Sequence, residues 1–235
     1  MDVSTVNEIR GRAPLRGNQA LRAALRNRGD HDGTISFLYS PKTNLDLIVT
    51  SDMEFCHLLH LEANPDVEWF DLDTERIVTY LDHAGYIGSK PDARVRRRNG
   101  QEELVEVKYE EDLANDLRTH LQISAQQKKA SEIGLGWRCY TEVDAGAEDR
   151  LLHDWLHIIV VLGQTRDFVT SSLETHLYES LLHRGPRELE FLQNANDKPW
   201  DLVFSAIFRL VQRGLLLTDL DTHPLSWRTV VQARG

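Results

Sequence analysis

The residues with the clearest chemical use are Pro91-Asp92 and, beyond an Asn99-Gly100 turn, Glu106-Val107-Lys108. A carboxylate on one strand facing Glu-x-Lys on the next is the smallest kit for metal-dependent hydrolysis of a phosphodiester. Two carboxylates hold a hard cation such as Mg²⁺ through oxygen, and Mn²⁺ can substitute. A cation so held polarises the phosphoryl group and activates water. Lys108 adds a fixed positive charge where negative charge grows in the transition state.

The flanking alternation defines the strands. Ala93 and Val95 alternate with Asp92, Arg94 and Arg96, and Val105 and Val107 alternate with Glu106 and Lys108. Each run has one apolar and one polar face, the pattern of a half-buried strand. Asn-Gly between them is a strong hairpin signal. A two-residue Asn99-Gly100 loop would set Asp92 opposite Val107 and leave the aspartate among valines. A shift of one residue repairs both faces, because opposed residues share a face. The expected connection is therefore a three-residue loop, another odd-length loop or a bulge, with Asp92 opposite Glu106 or Lys108.

Two amphipathic strands with charged outer faces occur in many sheets, so the motif needs context. Ser51-Asp52-Met53-Glu54 supplies it, followed by Leu58, Leu59 and Leu61. The segment reads as a helix from about Asp52 to Asn64. Glu54 has two readings. In a capping box it reaches back to the Ser51 amide; as a third acidic group it is delivered to the metal from the helix. Glu62, eight residues on and within roughly a quarter turn of the same face, is its rival. Glu54, Cys56, His57 and His60 also match a helical Glu-x-x-His metal motif, which requires a second copy on another helix; none is evident.

Together these segments resemble TnsA, the endonuclease subunit of heteromeric bacterial transposases. The likeness runs from Phe37-Leu38-Tyr39-Ser40-Pro41-Lys42-Thr43 through Ser51-Asp52-Met53-Glu54 and Leu61-Glu62-Ala63-Asn64-Pro65-Asp66-Val67. It continues through Pro91-Asp92 and Val105-Glu106-Val107-Lys108 to Trp137-Arg138-Cys139-Tyr140-Thr141-Glu142. It covers residues from about 35 to 145. The segment from Phe70 to Lys90 matches loosely and the first thirty residues hardly at all.

The resemblance implies a restriction-endonuclease-like α/β fold, the PD-(D/E)xK mixed-sheet core. It implies cleavage of the non-transferred strand at the 5′ ends of a mobile element. It matches the catalytic residues to Glu54, Asp92 and Lys108 and favours Glu54 over Glu62. Metal is then expected on Glu54, Asp92 and either the Glu106 carboxylate or the Val107 carbonyl. The implied partners are transposon-end DNA, a DDE transposase subunit of the TnsB type and an AAA+ regulator of the TnsC type. A stand-alone restriction or repair nuclease of the same fold, and an assembly adaptor without the chemistry, are the alternatives.

Composition agrees with a globular protein. The chain has 235 residues, enough for one large domain or two modest ones, and 41% hydrophobic residues. No apolar run suits a membrane crossing and no secretory segment opens the sequence, so a bacterial cytoplasmic, nucleoid-associated location is expected. Cys56 and Cys139 lack zinc spacing and read as buried thiols. A net charge of −10 is unusual for a free-standing DNA binder. The basic residues are clustered, however: Arg10, Arg12, Arg16, Arg22, Arg26 and Arg28 in one group, Arg94, Arg96, Arg97 and Arg98 in the other. The second group, with Lys128, is the expected DNA contact. The acidic remainder predicts that partners bring the protein to DNA.

The chain divides into an Arg-rich arm (1–35), the nuclease-like part (36–145) and a C-terminal part (146–235). In the arm, a helix is expected over Gln19–Asn27. Leu113 to Ile133 reads as one helix with Leu117, Leu121 and Ile123 as its apolar stripe and Gln126 to Lys129 as its polar end. With the flanking strands it makes a βαβ unit. In the C-terminal part, Leu151–Leu162 reads as a buried helix, and Ser171 to Glu174 as a capping box for a helix through His183. A helix restarts over Arg187–Gln193. A longer one runs from Trp200 to Gly214, before strands at Leu215–Leu217 and Trp227–Val231. That order looks like a winged helix. Its last helix carries only Arg209 and Arg213, which predicts protein docking over DNA reading; the resembled family implies the regulator ATPase as the partner.

Overall fold

The computed structural model describes residues 35–234; the Arg-rich arm and its expected helix lie outside them. The described chain opens with an antiparallel hairpin, β1 (Ser36–Ser40) and β2 (Leu45–Val49), followed by α1 (Asp52–Ala63). Next come β3 (Val67–Asp71), a second hairpin of β4 (Ile77–Leu81) and β5 (Gly85–Ser89), then β6 (Ala93–Arg97) and β7 (Glu102–Val107). Helices α2 (Glu110–Asn115) and α3 (Leu117–Glu132) lead into β8 (Gly136–Tyr140). The central sheet has the order β3-β6-β7-β8, with β3, β6 and β7 antiparallel and β7 and β8 parallel. The architecture is α/β with a mixed sheet, as expected, and α3 lies in the crossover between the two parallel strands.

The β6–β7 register follows the expectation drawn from side-chain parity. Ala93 pairs with Val105 and Arg96 with Glu102, and Arg97 N donates to Gln101 O at 2.8 Å. Three residues, Arg98-Asn99-Gly100, therefore form the loop. Gly100 takes φ +83°, the left-handed position that closes such a loop. An added Cβ at Gly100 would meet no atom within 4 Å, so Gly100→Ala tests backbone strain alone. It is expected to cost about 1 kcal/mol, read as a lowered urea midpoint with unchanged slope.

Helix α1 is apolar on two sides because it separates two cores. Leu58 and Leu61 pack on the sheet with Val67, Phe70, Ala93, Val95, Val105 and Tyr140. Leu59 and Ala63 face the C-terminal helices.

Helix α3 departs from the expected single helix. Asp116 interrupts it by capping a new start, its carboxylate accepting from the amides of Arg118 and Thr119. Leu117, placed at that exposed start, is 73% exposed, and the buried face is Thr119, Ala125, Gln126 and Ala130. Ala125 and Ala130 on that face let the helix pack on the β4–β5 hairpin and the sheet.

The remaining chain contains α4 (Glu142–Ala147), α5 (Asp149–Gln164), α6 (Ser171–Arg184), β9 (Arg187–Glu188), α7 (Leu189–Asn194), α8 (Trp200–Gln212), β10 (Leu216–Thr218) and β11 (Val230–Ala233). The last three strands form a sheet of order β10-β11-β9. The start expected as helix at Arg187 is a short strand, and the helix begins at Leu189. The capping box expected at Ser171 does not form. Glu174 instead accepts from the Thr170 hydroxyl at 2.6 Å and from Arg213 at 2.5 Å. No described helix is long and apolar enough to cross a membrane.

Candidate active site

Asp92 stands where the β6–β7 ladder ends, and it completes that ladder with both backbone and side chain. Its amide donates to Val105 O at 2.9 Å, and its Oδ2 accepts from the Val107 amide at 2.7 Å. The register, continued one step, sets Asp92 against Glu106. The preceding turn is held by the Thr74 hydroxyl on the Pro91 carbonyl and by Lys90 on Asp73 at 3.0 Å. Asp92 Oδ1 takes no hydrogen bond from a described residue.

Glu106 projects from the polar face of β7, yet it is only 3% exposed because α3 covers it. Lys108 Nζ lies 2.8 Å from its Oε1, and Gln126 Nε2 donates to its Oε2 at 2.6 Å. Glu54 reaches the site from the first turn of α1. Ser51 caps that helix as expected, accepting from the Glu54 amide at 3.1 Å. The Glu54 carboxylate goes one residue further back than a capping box requires, to the Thr50 amide at 2.7 Å. Its Oε1 takes no hydrogen bond from a described residue. Glu54, His57, Asp92 and Val107 line one cleft of about 180 Å³ between α1, β2 and the Lys90–Asp92 turn.

Burial and neighbouring charge both act on these groups. Burial pushes Asp92 up to about 7 from 3.8; repulsion from Glu106 and Glu54 adds to this, while the Val107 amide and Lys108 oppose it. Lys108 is raised: burial alone would lower it, but the bond to Glu106 and the charges of Glu106 and Asp92 prevail. One lysine leaves the acidic group short of positive charge, and a divalent cation is the species that relieves such a cluster. Among the described residues, no three His, Cys, Asp or Glu side chains are gathered as a ready metal-binding group. Mg²⁺ does not need three, since it keeps several waters and commonly takes one or two carboxylates plus substrate phosphate. Asp92 Oδ1, Glu106 and the Val107 carbonyl fit that donor set, with Glu54 at the rim.

Glu62, the rival to Glu54, faces elsewhere. It is fully buried against the C-terminal part, bonded by the Ser40 hydroxyl and, at 2.5 Å, by Gln212 Nε2. His57 is buried too, its ring 4.8 Å from that of Tyr140. Burial, reinforced by His60 and Arg138, pushes its pKa down to about 3 from 6.5. In that interval the unfolded chain binds a proton that the folded one refuses. Stability is therefore lost as pH falls from about 6.5 towards 3. His57→Leu should lose less stability between pH 7 and pH 4 than the wild type, measured by urea unfolding at each pH.

The expected DNA contacts are all engaged with protein groups. Arg94 and Arg96 share the polar face of β6 with Asp92, but both pair with Glu102, at 2.5 and 2.7 Å. Arg97 pairs with Glu103 at 2.6 Å, and Arg98 donates to Pro65 O and Gln212 O. Lys128 Nζ donates to Tyr80 O at 2.9 Å. Both arginines are about half exposed, and the Glu102 side chain that bridges them is 14% exposed.

The residue that the sequence concealed is Gln126. It is 0% exposed, although Gln126-Gln127-Lys128-Lys129 reads as a solvated helix end. Its Nε2 also donates to Ser89 Oγ at 2.8 Å, and its Oε1 accepts from Trp137 Nε1 at 2.9 Å. The available signal is its spacing of seven from Thr119 and four from Ala130, which places all three on one helix face.

Comparison with known proteins finds no family model that matches the chain and no curated protein similar to it.

Proposed function

We propose that the protein is a Mg²⁺-dependent DNA endonuclease with a PD-(D/E)xK core, acting as the TnsA-type subunit of a transposase. One observation carries the reading. A half-buried aspartate at a strand end stands opposite Glu106 when the ladder is continued one step, with Lys108 in contact with that glutamate and Glu54 in the same cleft as the aspartate. Asp92 and Glu106, with the Val107 carbonyl and Glu54, would hold the cation. When bound, it would polarise the phosphoryl group and lower the pKa of water. Lys108 either positions the attacking water or neutralises charge on the pentavalent phosphorus. Water adds in line, the P–O3′ bond breaks, and the products are a 5′-phosphate and a 3′-hydroxyl. The cut falls at the 5′ ends of the element, and the DDE transposase processes the other strand.

The C-terminal part has the helix-strand-helix-helix-strand-strand order of a winged helix, which supports that assignment. Docking to the AAA+ regulator suits it better than reading DNA. Val203 to Phe208 and Leu210 to Gln212 of α8 are all buried, so this helix has no free face for a DNA groove. Arg209 and Arg213 are spent on Thr165 O, Thr170 and Glu174.

A second reading, an assembly adaptor without catalysis, is favoured by the occupancy of both Glu106 oxygens by Lys108 and Gln126. Calorimetry with Mn²⁺ separates the two: an adaptor shows no binding that Asp92→Ala removes. The decisive assay is excision of an element from plasmid DNA with the transposase, the regulator, ATP and Mg²⁺. The nuclease reading expects 5′-end cuts that require Asp92, and little cutting without partners. A stand-alone nuclease would cut without them.

A further inference from the structure

A buried relay links β8 to the acidic site through α3. The Trp137 indole can only donate, so the Gln126 amide must turn its oxygen to Trp137. Its nitrogen then faces Ser89 and Glu106, at 2.8 and 2.6 Å. Both amide protons and the amide oxygen are used, and Gln126 has no solvent exposure. The opposite amide orientation would set oxygen against the Glu106 carboxylate and NH₂ against the indole N–H. A glutamine serving only to fill space between helix and sheet would not need three oriented partners from β5, β7 and β8.

We infer that Gln126, oriented by Trp137 and Ser89, is a positioning residue that fixes the Glu106 carboxylate beside Lys108, so that the cation site is assembled before the cation arrives. This rests on the nuclease reading given above. Groups that orient metal ligands typically change metal affinity by about 10- to 100-fold when removed.

The test is Mn²⁺ binding to the full chain without DNA, followed by calorimetry, together with the Trp137 indole N–H resonance, assigned through Trp137→Phe. Wild type should bind Mn²⁺, and Asp92→Ala should abolish binding. Gln126→Met, similar in volume, should weaken it at least about tenfold while circular dichroism remains native. Trp137→Phe keeps an aromatic side chain but removes the indole N–H, which frees the amide to turn; it should weaken binding by roughly 2- to 10-fold, the value of one hydrogen bond. It also decides the matter should Gln126→Met not fold. Adding diamagnetic Mg²⁺ should move the Trp137 indole resonance in wild type and leave it in place in Asp92→Ala. If wild type and Asp92→Ala behave as stated but both relay variants bind like wild type, the inference fails and the nuclease reading stands. A wild type that binds no divalent cation sinks both.

Discussion

Asp92→Ala is expected to abolish 5′-end cleavage in the reconstituted excision assay, a loss of about 10³-fold or more, because the acidic group loses its central carboxylate. The same position is expected to show that this carboxylate costs stability. Asp92→Asn is the cleaner probe for that. Its amide oxygen can still accept from the Val107 amide, a bond Asp92 makes at 2.7 Å, whereas alanine leaves a part-buried donor unpaired. The aspartate titrates at about 7 in the folded protein against an ordinary 3.8, chiefly through burial and then through Glu106. Between those values the folded state keeps a proton that the unfolded chain has lost. Stability is therefore shed as pH rises from about 4 to about 7, and above 7 the whole contribution is gone. Asparagine does not titrate there. The stability of Asp92→Asn relative to wild type should thus grow by on the order of 2–4 kcal/mol between pH 4 and pH 8 without metal. Millimolar Mg²⁺ should narrow that gap by stabilising wild type and leaving Asp92→Asn unchanged. Urea midpoints at the two pH values, with Mg²⁺ or with chelator, measure both. A variant that loses function and gains stability is the signature of a site strained for its ligand; an Asp92→Asn protein no more stable than wild type at pH 8 would mean that the carboxylate sits there without strain.

The hairpin was legible because each of its rules is local. Parity alone excludes an Asn99-Gly100 loop of two residues, since Asp92 would then lie among valines. The chain adopts the three-residue loop and places Gly100 in the left-handed conformation. Ser51 as a cap and Asp92 as a polar strand end were legible for the same reason. What failed to show was whatever depends on a distant partner. Gln126 resembles a solvated residue until Ser89, Glu106 and Trp137 converge on it from three strands. Leu117 resembles a core residue until Asp116 starts a new helix in front of it. Arg94 and Arg96 were rightly placed on the face of Asp92, but pattern gives no sign that Glu102 bridges them. Glu62 is the extreme case, because its partner Gln212 lies 150 residues away.

That long-range bond makes Glu62 and Glu54 opposites in a single experiment. Glu62 has no exposed surface; Ser40 and Gln212 each hold one of its oxygens, and burial raises its pKa to about 7. Lys42, drawn down to about 7 by burial, donates to Leu61 O at 2.7 Å and Asn64 O at 2.5 Å, closing the C-terminus of α1. The cluster joins the first hairpin, α1 and α8, so it fastens the nuclease-like part to the C-terminal part. Glu62→Ala removes the carboxylate that accepts from the Ser40 hydroxyl and from Gln212 Nε2, leaving Gln212 only a 3.4 Å bond to the backbone carbonyl of residue 62 and Ser40 only the Thr43 amide, and removes the charge that offsets Lys42, at a cost of roughly 3–5 kcal/mol. For a chain of this length that lowers Tm by roughly 6–20 °C. Glu54→Ala removes a half-buried carboxylate that holds the Thr50 amide, and should cost about 1 kcal/mol. Cleavage should reverse the order. Below its lowered Tm, Glu62→Ala should retain cutting per folded molecule, while Glu54→Ala should lose it with the fold intact. Differential scanning calorimetry and the excision assay on the two variants measure both quantities. If both Glu54→Ala and Glu62→Ala still cut per folded molecule, the third acidic ligand would have to come from neither residue, and the site would reduce to Asp92, Glu106 and the Val107 carbonyl.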